Sequence, residues 1–87
     1  MNQLSLKELI LDFLAYLCSR NYSRATINNY TEDLKRFNDF CGEEKDFCNK
    51  EILRNFVKSL SDKYAVNTIN RKVASLKSFF KFLFEFI

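Results

Sequence analysis

Across 87 residues the chain has no proline and a single glycine, Gly42. Sheet proteins use those two residues at many of their reversals, so their scarcity leaves long uninterrupted segments that suit helices. Ten phenylalanines and a hydrophobic content of 47% give enough apolar surface to offset the conformational entropy of one small core. A chain of this length is expected to form one domain, residues 1–87, with all of its activity on the surface of one bundle.

Apolar residues recur at helical spacing in four segments. Ser5 and Glu8 have the spacing of a capping box, with Leu4 stapled onto Leu9, and Leu6, Leu9, Ile10, Phe13, Leu14 and Leu17 form one stripe of a helix from Leu6 to Cys18. Ser23 is placed to cap a second helix, with Tyr22 and Ile27 as its staple. Ile27, Tyr30, Leu34, Phe37 and Cys41 share one side of that helix, opposite Arg24, Asn28, Glu32, Lys35 and Arg36, and Gly42 ends it as a left-handed cap. A charged connector from Glu43 to Phe47 leads to a shorter helix carrying Ile52, Leu53, Phe56, Val57 and Leu60, capped by Cys48 or Asn49. After a loop from Ser61 to Val66, Asn67 is the expected cap of a fourth helix that turns Ile69, Val73, Leu76, Phe80, Leu83 and Ile87 inward. The expected fold is all-α, a compact four-helix bundle with short connections.

At the C-terminus Phe79, Phe80, Phe82, Phe84 and Phe86 surround the helix and cannot all face one core. Phe82 and Phe86 are expected to be solvent-exposed and to promote weak self-association.

The net charge of +3 is too small to identify a polyanionic partner, but its distribution is uneven. Asp39, Glu43, Glu44 and Asp46 cluster mid-chain, whereas the stretch from Lys63 to Lys81 holds Lys63, Arg71, Lys72, Lys77 and Lys81 and no acidic residue, so one end of the molecule is expected to be positive. Cys18, Cys41 and Cys48 lack a CxxC pair, and no histidine is present to complete a zinc site. They are expected to be small core or boundary residues, with no metal and no cofactor. The sequence has neither a secretory leader nor an apolar run of membrane-spanning length, which predicts a cytoplasmic protein with no membrane partner.

No catalytic constellation is legible: there is no glycine-rich phosphate loop, no GxSxG and no nucleophile paired with a base. Of the four tyrosines, Tyr30 and Tyr22 are explained by packing on the second helix. Two predicted helix starts remain as a binding surface, with Ser23, Arg24, Thr26 and Asn28 opening the second helix and Asn67, Thr68, Asn70, Arg71 and Lys72 opening the fourth. Orphan backbone N–H groups, the positive end of the helix dipole and short polar side chains are suited to phosphate, and Arg and Asn match guanine and adenine edges. Ser75, Lys77, Ser78 and Lys81 extend the same exposed side. The same residues also fit ordinary caps and solvated faces.

The run Phe13-Leu14-x-Tyr16-Leu17, followed by Ser23-x-x-Thr26-x-x-x-Tyr30-x-x-Asp33-Leu34-x-x-Phe37-x-x-Phe40, resembles the opening of the core-binding, SAM-like domain of tyrosine recombinases. The later stretch Ile52-x-x-x-Phe56-x-x-x-Leu60, then Thr68-Ile69-Asn70-Arg71-Lys72-x-x-Ser75-Leu76-Lys77-x-Phe79-Phe80-x-Phe82-Leu83, is similar to the third and fourth helices of that domain. The resemblance, to the phage integrase and Xer family, implies a non-catalytic domain that clamps double-stranded DNA at a recombination site. The strand-cutting residues would lie in a C-terminal catalytic domain of the same protein, outside this chain, and further recombinase protomers would assemble on the DNA. It also implies that the second and fourth helices face the major groove. Carried over by position, Ser23, Thr26, Asn28, Thr68, Arg71 and Ser75 become contact candidates, with Lys35, Lys72 and Lys77 as phosphate contacts.

Two other readings compete. A helix-turn-helix regulator needs a tighter turn than the charged connector provides. A helical protein-protein interaction module would use the Phe-rich C-terminal helix and show no salt-dependent affinity for DNA.

Overall fold

Four helices follow one another in the computed structural model: α1 (Leu6–Ser19), α2 (Arg24–Cys41), α3 (Lys50–Ser61) and α4 (Val66–Phe86). The structure describes residues 5–42, 47 and 49–86. The Leu4 staple, the connector residues 43–46, Cys48 as a cap and Ile87 as an inward residue lie outside the described residues. Among the described residues there is no strand, and the bundle is all-α, as the sequence led us to expect.

Local chemistry sets most helix boundaries. The Ser5 hydroxyl accepts the Glu8 N–H at 3.2 Å while the Glu8 carboxylate accepts from the Ser5 backbone, completing the capping box of α1. The helix ends in a Schellman motif, in which the Tyr22 N–H reaches the Leu17 carbonyl and the Asn21 N–H the Cys18 carbonyl. Asn21 takes the positive φ of 61° that this motif requires, a left-handed conformation that asparagine tolerates better than most residues. Ser23 caps α2 through the Thr26 N–H, and Asn49 caps α3 through the Glu51 N–H.

Two termini differ from expectation. Gly42 has a positive φ of 59° but a ψ of −124°, outside the left-handed helical well. A Cβ there would meet nothing, so the backbone alone favours glycine. Helix α4 begins at Val66 rather than after Asn67, because the Ala65 carbonyl already accepts the Ile69 N–H at 3.0 Å. Asn67 is therefore inside the first turn, not its cap.

The core is largely aromatic. Phe13 of α1 meets Phe79 and Phe82 of α4 and Tyr30 of α2, with ring centroids 5.3 to 5.7 Å apart, and Phe37 of α2 packs edge-on against Phe56 of α3. Leu34, Phe37 and Phe79 are fully enclosed. Tyr30 is half-buried and reaches Ser78 with its hydroxyl.

The inward side of α4 is rotated from the expected one. Leu76, Phe79 and Phe82 are buried, whereas Ile69, Val73, Phe80 and Leu83 are half-buried on the flank. Phe82, expected in solvent, is only 8% exposed because Phe13 and Tyr16 enclose it. Phe84 is 92% exposed, and Phe86 is exposed with its ring against Tyr16 and Phe82. Tyr22, expected to pack as a staple, is also exposed, as is Cys18; Cys41 is half-buried.

Truncating Phe79 to alanine is expected to remove about 3–5 kcal/mol of stability, enough to unfold much of a domain this small. Phe84→Ala should stay within about 0.5 kcal/mol of the parent. Chemical denaturation followed by circular dichroism separates the two.

Candidate nucleic-acid interface

Asp33 is one residue before Leu34, on the edge of the apolar stripe of α2, and is 1% exposed. An isolated carboxylate there would lose several kcal/mol of hydration. Helix α4 compensates with donors from one side: Arg71 Nη2 and Lys72 Nζ each donate to Asp33 Oδ1 at 2.9 Å, and Ser75 Oγ donates to Oδ2 at 2.7 Å. The Lys72 side chain is 3% exposed and Ser75 is buried, but the Arg71 side chain remains 47% exposed. The ring of Tyr64, in the turn before α4, is 5.1 Å from Lys72 Nζ and 5.3 Å from the Arg36 guanidinium carbon. Among the described residues no buried side-chain polar atom lacks a hydrogen-bond partner.

This cluster corrects two sequence expectations. Lys72 and Ser75, expected along the exposed side of the fourth helix, are turned inward and bonded to Asp33, which would otherwise be a buried unpaired charge. The cluster also fixes how α2 and α4 pass. Asp33 is level with Arg71, Lys72 and Ser75, while Tyr30, three residues earlier, is level with Ser78. The helices therefore run in opposite directions past their contact. Their starts flank the crossing and are not side by side.

At about 100° per residue, Thr26, Asn29, Asp33 and Arg36 form the row of α2 next to α4. Asn67 and Arg71 lie on the matching row of α4, and Asn70, Lys77 and Lys81 are the outermost positions of that helix. Asn29, Arg36, Asn67, Asn70, Arg71, Lys77 and Lys81 are all exposed, and Thr26 and Thr68 are half-buried. Ser23, Arg24, Asn28 and Lys35 are exposed as well, on the outer flank of α2 away from α4. From Val66 to Phe84, α4 has no acidic residue.

Of the predicted site residues, Lys72 and Ser75 thus lie inside the fold, and the others are exposed or half-buried. Asp33 was the residue hardest to see. Beyond its place in the family-like run, its local signal is a carboxylate bordering an apolar stripe, and its partners lie some forty residues away in sequence.

The sequence profile of the phage integrase N-terminal SAM-like domain matches residues 10–85, and the chain belongs to that family. It is 38% identical over 85 residues to the tyrosine recombinase XerC of Leptospira interrogans, an alignment that covers 91% of this chain and 27% of that protein. It is 36% identical over 81 residues to the tyrosine recombinase XerC of Natranaerobius thermophilus, covering 85% of this chain and 27% of the relative. With a tyrosine recombinase of Thermosipho africanus the identity is 29% over 82 residues, covering 87% and 28%. The chain thus spans about a quarter of the length of these relatives. No solved structure matches it.

Removing the carboxylate alone should be severe: Asp33→Ala leaves Lys72 buried without its counter-charge and is expected to destabilise the fold by about 3–5 kcal/mol. Adding Lys72→Met should recover most of that loss. A denaturation series on the parent, the single variant and the double variant measures both.

Proposed function

We propose that this domain binds double-stranded DNA as the N-terminal arm of a tyrosine recombinase, laying the exposed faces of α2 and α4 on the duplex. The observation that carries the reading is the exposed side of α4, where Asn67, Asn70, Arg71, Lys77 and Lys81 follow one another with no acidic residue before Glu85. Lys77 and Lys81 suit phosphates as mobile charges, while Asn67, Asn70 and Arg71 have the planar donors that base edges demand. Thr26, Asn29 and Arg36 extend this face onto α2. Ser23, Arg24, Asn28, Thr68 and Lys35 are further contacts where the duplex passes the outer flank and the helix starts.

Family membership supports the same reading, since the relatives are named tyrosine recombinases. In it, the chain carries no strand-cutting group and works with a catalytic domain of the same protein and with other recombinase protomers on DNA. A DNA substrate of this kind implies a cytoplasmic location. No described helix is long and apolar enough to cross a membrane.

Fluorescence anisotropy with the 87-residue chain and a labelled duplex at low salt tests the interface. Lys77→Ala and Lys81→Ala should each weaken binding and reduce the slope of log affinity against log salt by about 1. Lys50→Ala and Lys58→Ala on α3 should leave both nearly unchanged. Equal losses from the two helices would mean diffuse attraction, and binding without salt dependence would remove the proposal altogether.

The same preparation should leave supercoiled plasmid unrelaxed, with or without divalent metal. Relaxation that disappears on changing one of Tyr16, Tyr22, Tyr30 or Tyr64 to phenylalanine would overturn the non-catalytic assignment.

A further inference from the structure

Resting on that reading of the α2 and α4 faces, we propose that Asp33 is a positioning residue that holds Arg71 in place as a sequence-reading contact, one directed at a base edge and not at a phosphate. Inside the fold Asp33 already has a buried cation and a hydroxyl, Lys72 and Ser75, on its two oxygens. Arg71 adds a second cation to a single carboxylate, so the cluster carries two positive charges against one negative and keeps a net charge of +1. Lys72 is enclosed, so the charge that remains available is on Arg71, whose side chain is 47% exposed.

The bond to Asp33 uses one terminal nitrogen of a planar group with five N–H donors. A guanidinium tethered at one corner has lost much of its rotamer freedom before any ligand arrives and presents its other donors in a set direction. Direction matters little for a phosphate, which a mobile lysine serves as well. It matters for the paired acceptors of a guanine edge in the major groove. The structure separates the two kinds of cation on one helix: Lys77 and Lys81 are exposed with no ion-pair partner among the described residues, whereas Arg71 is anchored from below. Asn67 and Asn70, both exposed, precede it on the helix with amide groups suited to adenine.

The experiment begins with a duplex selected from a randomised pool by the parent chain, compared with a shuffled duplex of equal length. The parent should prefer the selected duplex by roughly tenfold or more. Arg71→Lys keeps the charge and leaves the Asp33 and Lys72 pair intact. It should bind the shuffled duplex as the parent does, with the same salt slope, but lose most of the preference. The double variant Asp33→Ala/Lys72→Met, which removes the buried charges together and leaves Arg71 no acceptor at that position, should lose the preference while still melting cooperatively. Nitrogen-15 relaxation of the Arg71 Nε–H group, measured without DNA, should report a restrained side chain in the parent and a mobile one in the double variant.

Retention of the preference by a folded Arg71→Lys chain, failure of selection to enrich any sequence, or an Arg71 side chain as mobile in the parent as in the double variant would each overturn the assignment. Failure of the interface itself reads differently: Lys77→Ala and Lys81→Ala would then leave duplex binding unchanged.

Discussion

The hydrogen-bonded ion cluster at Asp33 is the constraint on which the rest of the arrangement turns. A carboxylate 1% exposed is tolerable only while all its partners stay in place. Because those partners occupy three positions of α4, the cluster fixes the rotation of α4 about its axis as well as its distance from α2. Hydrophobic attraction is non-directional and could be satisfied at more than one rotation of the helix. A lysine and a serine bonded to opposite oxygens of one carboxylate cannot.

The aromatic core is compatible with this setting of α4 and reinforced by it. With Lys72 and Ser75 pointing at α2, the next residues on the same side are Leu76, Phe79 and Phe82, and the two phenylalanines meet Phe13 and Tyr16 of α1. Phe80 is carried to the flank, where Phe37 and Phe47 approach its ring. The crowded Phe-rich terminus is thereby divided between two sides of one helix, and Phe84 is its most exposed member.

The same geometry separates the basic residues of α4 by role. Consecutive residues of a helix point about 100° apart, so Arg71 and Lys72 diverge, one to the rim of the cluster and the other into it. Lys77 and Lys81 follow on the outer face. The four basic residues of α4 become in three dimensions an enclosed charge, one paired at the rim of the cluster and two exposed with no ion-pair partner among the described residues.

Much of the fold was legible because its determinants are local. The absence of proline, the 3.6-residue apolar period and the capping residues Ser5, Ser23 and Asn49, the last one of two candidates in the sequence, act within a few positions. The family resemblance rested on the same spaced residues. The rotation of α4 was not legible: Phe79, Phe80, Phe82 and Leu83 offer several apolar stripes of similar quality, and the choice among them falls to Asp33, 38 to 42 residues distant in sequence from its partners. For the same reason Lys72 and Ser75 read as surface residues, since burying a lysine is unfavourable until a buried carboxylate comes within hydrogen-bonding distance. Sequence alone determined the helices, their order and the side chains available for binding. Which of those side chains face outward was decided only by tertiary structure, because charge burial is settled between elements and not within them.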